Sequence, residues 1–487
     1  MAAPLPQLPL SEVAAAVRGE VRGDGTVPVR DAAYDSREVR PGCLYFCVTG
    51  SSRDGHAFAA DAVRAGAAAL VVERWLDLDA PQVRVASVRD VMGPVSAALF
   101  GRPSEDMVLV GVTGTNGKTT TTYLLESVFR AAGLVPGVIG TTGARIDGEP
   151  VPLARTTPEA PDLHRLLADM RAEGVGAVAM EVSSHALHQQ RVSGVRFGCV
   201  VFTNLSQDHL DYHPDMETYF EAKEMLFTPT YAERGVVNAD DPWGRRLLEG
   251  PSIPIATYGV DAEADLRATS VDATAGGLSF LVNGVELRSL LRGRFNVWNC
   301  LAALAAARSL GIEDDAAFRG IEALQGVPGR VEPLEEGQDF LVMVDYAHTP
   351  DSIDNVLRAA RPLASGRLII VFGCGGDRDR SKRSLMGRVA TVNADLTVIT
   401  SDNPRSEDPE AIIGDIEPGA KEGGGAYVIE PDRRAAIRSA LREAGSGDVV
   451  VIAGKGHEPY QELADRTIPF DDRLVAADEL RKLRGSP

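Results

Sequence analysis

The amino-acid sequence predicts an α/β protein built from three domains. Short apolar runs of strand type alternate with helical patterns along the chain, which is typical of parallel sheets covered by helices. The 487 residues are too many for a single hydrophobic core. Breaks rich in glycine, proline or charge occur at 101–106 and 326–330. We therefore predict domains at residues 1–104, 105–329 and 330–487.

The first predicted domain is a small α/β unit. The runs LYFCV (44–48) and AALVV (68–72) have the composition of short buried strands. The segment HAFAADAVRAG (56–66) between them has the apolar spacing of a helix. This alternation of strand and helix indicates an α/β fold for residues 1–104.

The central predicted domain begins with a phosphate-binding motif. VLVGVT (108–113) predicts a buried strand, TTTYLLESVFRAAG (120–133) predicts a helix, and a Gly-rich turn joins them. Such a turn presents backbone N–H groups and the positive end of a helix dipole to an anion, while Lys118 adds a charge and Thr119 a ligand for magnesium. Val112 stands where the usual P-loop has its first glycine, and Gly114 takes over the turn. A turn that merely connects a strand to a helix needs no consecutive Gly, Lys and Thr. The predicted nucleoside triphosphate site consists of Gly114, Thr115, Asn116, Gly117, Lys118, Thr119 and Thr120.

Two further strands of this domain end in polar residues. GAVAMEV (176–182) and GCVVFTNL (198–205) are near-continuous apolar runs, as expected of parallel strands buried on both faces. Glu181 falls at the carboxyl end of the first, where open α/β sheets bind ligands and where a carboxylate can hold magnesium. The alternative is a solvated carboxylate at a strand end.

A cluster of acidic residues and histidines follows the second strand. Asp208, His209, Asp211 and His213 lie within six residues of TNLSQDHLDYH. Zinc is one interpretation, but no cysteine joins the cluster and the P-loop requires an oxygen-loving ion, so magnesium fits better. The pattern YFEAKEMLF (219–227) predicts a helix, and by itself it indicates that Lys223 is a surface lysine.

The third predicted domain is a doubly wound sheet. FLVMVDYA (340–347), RLIIVFGCGG (367–376), ADLTVIT (394–400) and DVVVIAGKG (448–456) predict buried strands separated by helices. The fold class is therefore α/β, with a small N-terminal α/β domain, a central P-loop ATPase-like domain with a parallel sheet, and a C-terminal Rossmann-like domain.

Composition excludes several classes of partner. A net charge of −19 disfavours nucleic acids and anionic membranes. No apolar run reaches the roughly 18 residues of a membrane span, and the first residues lack the pattern of a signal peptide, so we expect a cytoplasmic protein. The five cysteines are scattered, which indicates reduced thiols.

Ten motifs in sequence order resemble those of the Mur ligases. They are GTNGKTT, MEVSSH, TNLSQDHLDYH, YFEAKEMLF, GRFNVWNCLAA, GVPGRVE, VDYAHTPD, GCGGDRDRSKRSLM, SDNPRSE and AGKGHE. The N-terminal YDSREVRPGCLYF and the DNPR quartet resemble the branch of that family that adds diaminopimelate. The resemblance extends over essentially the whole chain.

The resemblance implies an ATP-dependent amide ligase of cytoplasmic peptidoglycan precursor synthesis. ATP would phosphorylate the free carboxylate of UDP-N-acetylmuramoyl-L-alanyl-D-glutamate. The amine of 2,6-diaminopimelate, expected to be the meso isomer, would then attack the acyl phosphate. Such chemistry depends on alignment and charge neutralisation. A monomer is expected.

The resemblance also implies roles for individual residues. Lys118 would hold phosphates, Thr119 and Glu181 would bind one Mg²⁺, and His209 would bind a second. Lys223 resembles the family lysine that CO₂ converts to a carbamate, which serves as an anionic metal ligand. Lys118, His209 and Lys223 are thus the implied catalytic residues. The implied contacts to adenine, phosphates and ribose are Asn296, Arg330 and Asp345.

Two sets of implied substrate residues complete the prediction. The sugar-nucleotide substrate would contact Tyr34, Ser36, Ser51, Ser52, Arg53, Thr156, Thr157, Ser183, Gln189 and Arg191. Arg155 stands where some relatives carry Asn, so that contact is left out. The amino acid would contact Arg378, Asp402, Asn403, Pro404, Arg405, Gly454 and Glu458. Arg405 suits the distal carboxylate of diaminopimelate, because a guanidinium binds a carboxylate through two parallel hydrogen bonds.

Other functions are compatible with parts of this pattern. Folylpolyglutamate synthase and a lysine-adding ligase are the nearest alternatives, but the DSR block argues against the first and DNPR against the second. A simple phosphotransferase or nucleotide switch would also use a P-loop. A precursor-binding protein without turnover is a further alternative, against which the intact set of candidate catalytic residues argues.

Overall fold

The computed structural model describes residues 7–50, 53–274 and 276–485. Three large sheets follow one another along the chain, and each is covered by its own helices. The predicted substrate residues Ser51 and Ser52 lie outside the described residues. Among the helices that are described, none combines the length and apolar character needed to cross a membrane.

The N-terminal sheet has five strands among the described residues, and it confirms the predicted α/β character. The predicted runs at 44–48 and 68–72 form the parallel pair Cys43–Phe46 and Ala67–Val72. The predicted helix at 56–66 is split into a 3₁₀ turn, Gly55–Phe58, and an α-helix, Ala59–Ala65, because Asp54 caps the turn through the backbone N–H of His56. In sheet order the strands are Glu20–Arg22, Gln82–Arg84, Ala67–Val72, Cys43–Phe46 and Asp31–Ala33. Leu8–Pro9 pairs separately with Pro28–Val29, and the remaining helices are Leu10–Ala16, Val88–Leu99 and the 3₁₀ turn Pro103–Glu105.

The central sheet contains eleven strands in the described part of the chain, and its middle is parallel as predicted. Both edges carry antiparallel strands that the sequence patterns did not reveal. In sheet order the strands are Glu149–Val151, Gly143–Ile146, Pro136–Gly140, Ala177–Glu181, Val108–Thr113, Cys199–Phe202, Gly235–Asn238, Ile255–Gly259, Leu266–Thr274, Gly277–Val282 and Val285–Ser289. The helices are Lys118–Ala131, Ala160–Ala172, Ser184–His188, Met216–Glu224, Pro242–Arg246, Asn296–Ser309 and Asp314–Ala323, with a 3₁₀ turn at Met225–Phe227.

The strand Val108–Thr113 determines where the site forms. It is paired in parallel with Ala177–Glu181 on one side and Cys199–Phe202 on the other. The carboxyl ends of three adjacent parallel strands therefore meet at one edge of the sheet. This places the Gly-rich loop, Glu181 and the segment 203–213 side by side.

The C-terminal sheet has six strands, of which five are parallel. This agrees with the predicted doubly wound domain, and the four predicted runs form its four central strands. In sheet order the strands are Glu332–Leu334, Leu341–Asp345, Val449–Ala453, Leu368–Phe372, Leu396–Ile399 and Tyr427–Ile429. The helices are Pro350–Ala360, Ser381–Asn393, Pro409–Gly423, Arg433–Glu443 and Asp472–Leu483, with a 3₁₀ turn at Arg361–Leu363 and a hairpin of Tyr460–Glu462 and Thr467–Pro469.

The close packing of two central-domain helices generates a stability prediction. A Cβ added at the buried Gly320 would lie 2.5 Å from Val128 Cα on the helix Lys118–Ala131, whereas one added at the exposed Gly414 would meet nothing within 4 Å. We expect Gly320→Ala to lower the free energy of unfolding by about 1–3 kcal/mol through overpacking. Gly414→Ala, the matched control, should raise it by about 0.5–1 kcal/mol because alanine favours the helix. Denaturant unfolding of both variants measures the difference, and equal effects would contradict the packing argument.

Candidate active site

The Gly-rich loop adopts a backbone that requires its glycines. Gly114 and Gly117 have φ values of +143° and +88°, in the region that side chains disfavour. A Cβ at Gly114 would collide with the Thr203 hydroxyl, and one at Gly117 with the Asn299 side chain. The loop therefore folds closely against the neighbouring strand end and the helix Asn296–Ser309, and the helix Lys118–Ala131 begins directly after it.

Two buried lysines meet at one carbonyl of this loop. Lys118 Nζ donates to the Gly114 and Thr115 carbonyl oxygens at 2.9 and 2.8 Å, and Lys223 Nζ donates to the same Gly114 oxygen at 3.0 Å. Burial lowers the pKa of Lys118, and burial together with repulsion from Lys118 holds the pKa of Lys223 well below its usual range. The sequence pattern alone predicts Lys223 to be a surface residue, but only 1% of its surface is exposed. Its only other described contact is the ring of Tyr219, 4.5 Å from the ammonium.

Glu181 is held at the neighbouring strand end. It is 1% exposed, which excludes the solvated carboxylate. Its two oxygens accept hydrogen bonds of 3.0 Å from the backbone N–H and the hydroxyl of Thr141. The Thr157 hydroxyl donates to the Glu181 carbonyl at 2.9 Å and lies 3.4 Å from the Ser183 hydroxyl.

His209 and Asp208 lie at the third strand end. His209 has a left-handed backbone, with φ of +57°, and its ring packs edge-on against His185 at a centroid distance of 4.8 Å. Burial lowers the pKa of His209 to about 3, against the opposing attraction of the Asp208 carboxylate, which lies 3.5 Å from the ring. Asp208 is paired with Lys382 of the third domain at 3.0 Å. Burial opposes ionisation of Asp208, but the surrounding His209, His348 and Lys382 outweigh it and hold the pKa well below the usual range.

The third domain closes this edge of the sheet. Arg330 Nη2 donates to the Thr119 hydroxyl at 2.8 Å, and its guanidinium lies 4.5 Å from the centroid of the Tyr346 ring. Asn116 of the loop donates to Asp351 at 2.8 Å. Asp345 accepts from the backbone N–H groups of residues 331 and 347, and burial raises its pKa.

Together these residues line a cavity of about 910 Å³. Seventeen of the predicted site residues line it: Gly114, Thr115, Asn116, Gly117, Lys118, Thr119, Thr120, Thr156, Thr157, Glu181, Ser183, Arg191, His209, Lys223, Arg330, Asp345 and Arg378. Asn296 does not. It begins its helix and bonds Asn299 at 2.7 Å, while Trp298 and Asn299 reach the cavity.

The other sugar-nucleotide candidates lie toward the first domain. Gln189 Oε1 accepts from Arg191 at 2.7 Å, and the Tyr34 hydroxyl donates to Asp162 at 3.0 Å. Burial raises the pKa of Tyr34 to about 12. Arg155 lies 3.4 Å from the Tyr34 hydroxyl and lines the cavity, while Ser36 is half-buried and Arg53 is exposed.

The predicted amino-acid residues form a second cluster beside the cavity. Asn403 Nδ2 donates to Glu458 at 2.8 Å, and the buried Lys455 ammonium bonds both residues, at 3.0 and 3.2 Å. Gly454, with φ of +114°, leaves room for the Asp402 carboxylate. Pro404 precedes Arg405, which has φ of +53° and a side chain that is 24% exposed.

Several residues that line the cavity were not predicted from the sequence patterns. They are Thr141, Asn204, Asn238, Asp240, Trp298, Tyr346, His348 and Asp351. Three of them lie in the motif VDYAHTPD, so that motif carried a signal for them. Thr141 and Asn238 follow strands as Glu181 does, but neither has a side chain distinctive enough to single it out.

The fold and the site define a three-domain P-loop protein whose nucleotide loop is covered by its third domain. Comparison with known protein families identifies the group. Residues 31–98 match the Mur ligase family catalytic domain, residues 112–307 the Mur ligase middle domain, and residues 329–456 the Mur ligase glutamate ligase domain. The chain belongs to the Mur ligase family.

Individual members of the family show which ligases the chain is similar to. The chain is 48% identical over 461 residues to the UDP-N-acetylmuramoyl-L-alanyl-D-glutamate--2,6-diaminopimelate ligase of Geobacillus thermodenitrificans, covering 92% of this chain and 94% of that protein. A solved structure of a ligase with the same name is 33% identical, with a TM-score of 0.70, over 98% of this chain and all of that one. The MurF ligase of Thermotoga maritima, solved with ADP, has the same fold at 19% identity and a TM-score of 0.63, over 93% of this chain and 97% of that one.

The contacts of Lys118 predict a catalytic rather than a structural role. Burial disfavours its charged ammonium, and the acceptors of its described hydrogen bonds are two loop carbonyls, so removing it relieves desolvation while losing two hydrogen bonds. We expect Lys118→Ala to lower the ATP-dependent rate at least about 100-fold, as for the loss of one charged transition-state contact, with little change in Tm. Lys421→Ala, which removes an exposed lysine, is the control. A near-normal rate would refute the assignment.

Proposed function

We propose that this protein is the ATP-dependent ligase that joins 2,6-diaminopimelate to UDP-N-acetylmuramoyl-L-alanyl-D-glutamate. The product would be a peptidoglycan precursor made in the cytoplasm, and the enzyme would act as a monomer. One observation carries the proposal: a single cavity brings the P-loop residues Lys118 and Thr119 together with Glu181, His209 and Lys223. A phosphotransferase needs the P-loop but has no use for the buried Lys223 or the cluster around Arg405.

In the first step the chain would align ATP with the D-glutamate carboxylate. Lys118 and the loop N–H groups would hold the phosphates, with Gly114, Thr115, Asn116, Gly117, Thr119 and Thr120 forming the cradle. Arg330 already bonds Thr119, so it would reach the same phosphates from the third domain. Asp345 and Asn296 would lie nearest the nucleoside.

The donor set suits Mg²⁺, and two ions are proposed. Among the described residues, no three histidine, cysteine or acidic side chains are grouped as a ready-made metal site. Mg²⁺ commonly takes few protein ligands and completes its shell with water and phosphate oxygens. Thr119 and Glu181 would hold one ion, and His209 with a carbamylated Lys223 the other. Bound Mg²⁺ supplies charge neutralisation to the transferring phosphoryl group.

The surroundings of Lys223 support carbamylation. Its amine is buried beside the cavity, and its described partners are one carbonyl oxygen and one aromatic ring, with no carboxylate in contact. A carbamate would convert this site from a second buried cation next to Lys118 into an anion that pairs with it.

The second step requires the amine of the incoming amino acid to reach the acyl phosphate. Tyr34, Ser36, Ser51, Ser52 and Arg53 would bind the uridine, and Thr156, Thr157, Ser183, Gln189 and Arg191 the muramoyl dipeptide. Arg378, Asp402, Asn403, Pro404, Arg405, Gly454 and Glu458 would bind diaminopimelate. We assign these tasks to domains at residues 1–104, 105–329 and 330–487.

A panel of amino acids tests the function. With ATP and the UDP-dipeptide, diaminopimelate should give a product of the corresponding mass, and phosphate release should require both substrates. In the wild type, lysine would leave the Arg405 guanidinium unpaired, which disfavours lysine by roughly 10⁴-fold relative to diaminopimelate. Arg405→Ala should therefore lose diaminopimelate activity by orders of magnitude and lose most of the preference for diaminopimelate over lysine. Arg466→Ala, which removes an exposed arginine, is the control. An unchanged preference for diaminopimelate over lysine would show that residues other than Arg405 determine the specificity. Phosphate release without the amino acid would favour a phosphotransferase.

Carbamylation of Lys223 has its own test. Lys223→Ala should be nearly inactive, and short carboxylic acids should restore part of the rate because they supply the missing oxygen ligand in the vacated space. The buried Lys382→Ala, whose partner is Asp208, is the matched control that carboxylic acids should not rescue. A fully active Lys223→Ala would refute the role.

A further inference from the structure

The C-terminal hairpin formed by Tyr460–Glu462 and Thr467–Pro469 lies against the loop that follows the strand Leu396–Ile399. Gln461 Nε2 donates to the Asp402 carbonyl at 2.6 Å, and the backbone N–H of Glu462 donates to Asn403 Oδ1 at 3.0 Å. In return, the backbone N–H of Arg405 donates to the Glu462 carbonyl at 3.1 Å. Three hydrogen bonds therefore fasten the first strand of the hairpin to the loop that carries Arg405.

The side chain of Glu462 adds a fourth contact, to the guanidinium itself. Arg405 Nε lies 2.8 Å from Glu462 Oε2, and Arg405 Nη1 donates to the Gly376 carbonyl at 2.9 Å. Within the described part of the chain, no acceptor is hydrogen-bonded to Nη2. The ion pair with Glu462 on the Nε side and the hydrogen bond to the Gly376 carbonyl thus restrict rotation of the guanidinium and leave hydrogens on its Nη1–Nη2 edge for a carboxylate.

Restricting this rotation affects binding in a definite direction. A free arginine side chain loses rotational freedom when it binds, and a side chain that is already ordered avoids most of that cost. The charge of Glu462 partly neutralises Arg405, so its effect on an incoming carboxylate is one of orientation and not of long-range attraction. Orientation matters most for a bidentate contact, which requires two parallel hydrogen bonds.

We propose that Glu462 is a positioning residue for the distal carboxylate of the incoming amino acid, acting through Arg405. The hairpin that carries it is then a specificity element of the amino-acid site. This rests on the proposed function, because it requires an amino acid with a second carboxylate.

Steady-state kinetics of three variants test the proposal. Glu462→Ala keeps the three hydrogen bonds of the hairpin but removes the ion pair that restrains the guanidinium, so the KM for diaminopimelate should rise about 10-fold, as expected when a side chain must be immobilised on binding. The KM for ATP and kcat should stay within about twofold. Glu462→Gln retains a polar oxygen of the same reach beside Nε and should keep the KM within about threefold. Asp465→Asn is the matched control, because Asp465 lies in the same hairpin, is 73% exposed and pairs only with Arg466.

The outcomes separate the alternatives. An unchanged KM for Glu462→Ala would overturn the proposal. A lowered KM would also overturn it, since Glu462 would then compete with the substrate for Arg405. A fall in kcat and Tm, with both KM values raised, would show a merely structural role. Wild-type enzyme that ligates no diaminopimelate would refute the proposed function, whereas active wild type with an indifferent Glu462→Ala would refute this inference alone.

Discussion

The Gly114 carbonyl oxygen is the point on which the central site depends, because two buried lysine ammonium groups donate to it. Such a pair of like charges is unfavourable without nearby anions. The closest candidates, Glu181 and Asp208, are engaged by Thr141 and Lys382. Their negative charges offset part of this cost for Lys118, and the anionic groups of a bound polyphosphate at the end of the strand Val108–Thr113 would offset more of it.

The third domain supplies the other half of this electrostatic arrangement. Arg330, Asp351 and Lys382 reach across to Thr119, Asn116 and Asp208, which lie on the nucleotide side of the interface. Each contact joins a residue of the P-loop or the neighbouring strand end to the domain that carries the amino-acid cluster. If the loop binds nucleotide as proposed, nucleotide binding and the position of the third domain are linked through the same side chains.

Much of this fold was predictable from apolar runs, because a strand buried between two neighbours needs hydrophobic residues on both faces. The three strands that meet at the site, and the four central strands of the third domain, all followed from that rule. The antiparallel edges did not, since edge strands such as Val285–Ser289 are partly exposed and their sequences are mixed. Local pattern also placed Lys223 on the surface, because burial of its helix depends on contacts with residues more than 100 positions away.

The candidate site likewise contains residues that the sequence predicts and residues that it does not. The loop glycines, Lys118 and Glu181 are predictable because they stand at the ends of recognisable strands. Asp351 and Lys382 act across a domain boundary, and no local spacing indicates such a partnership. Glu462 is more distant still, because its role depends on a hairpin that follows the last recognisable motif. Contacts that depend on tertiary structure are therefore the part of the site that sequence patterns could not supply.

The buried pair of Asp208 and Lys382 has a consequence for the domain interface. Burying two charges costs nearly as much as their attraction returns, so an ion pair at an interface holds it closed with little net free energy. If the two domains separated, water would solvate both groups again and offset most of the lost attraction. An apolar contact of the same size offers no such compensation and would make every opening slow. The pair thus specifies the relative position of the two domains in this structure while adding little to the free energy needed to separate them.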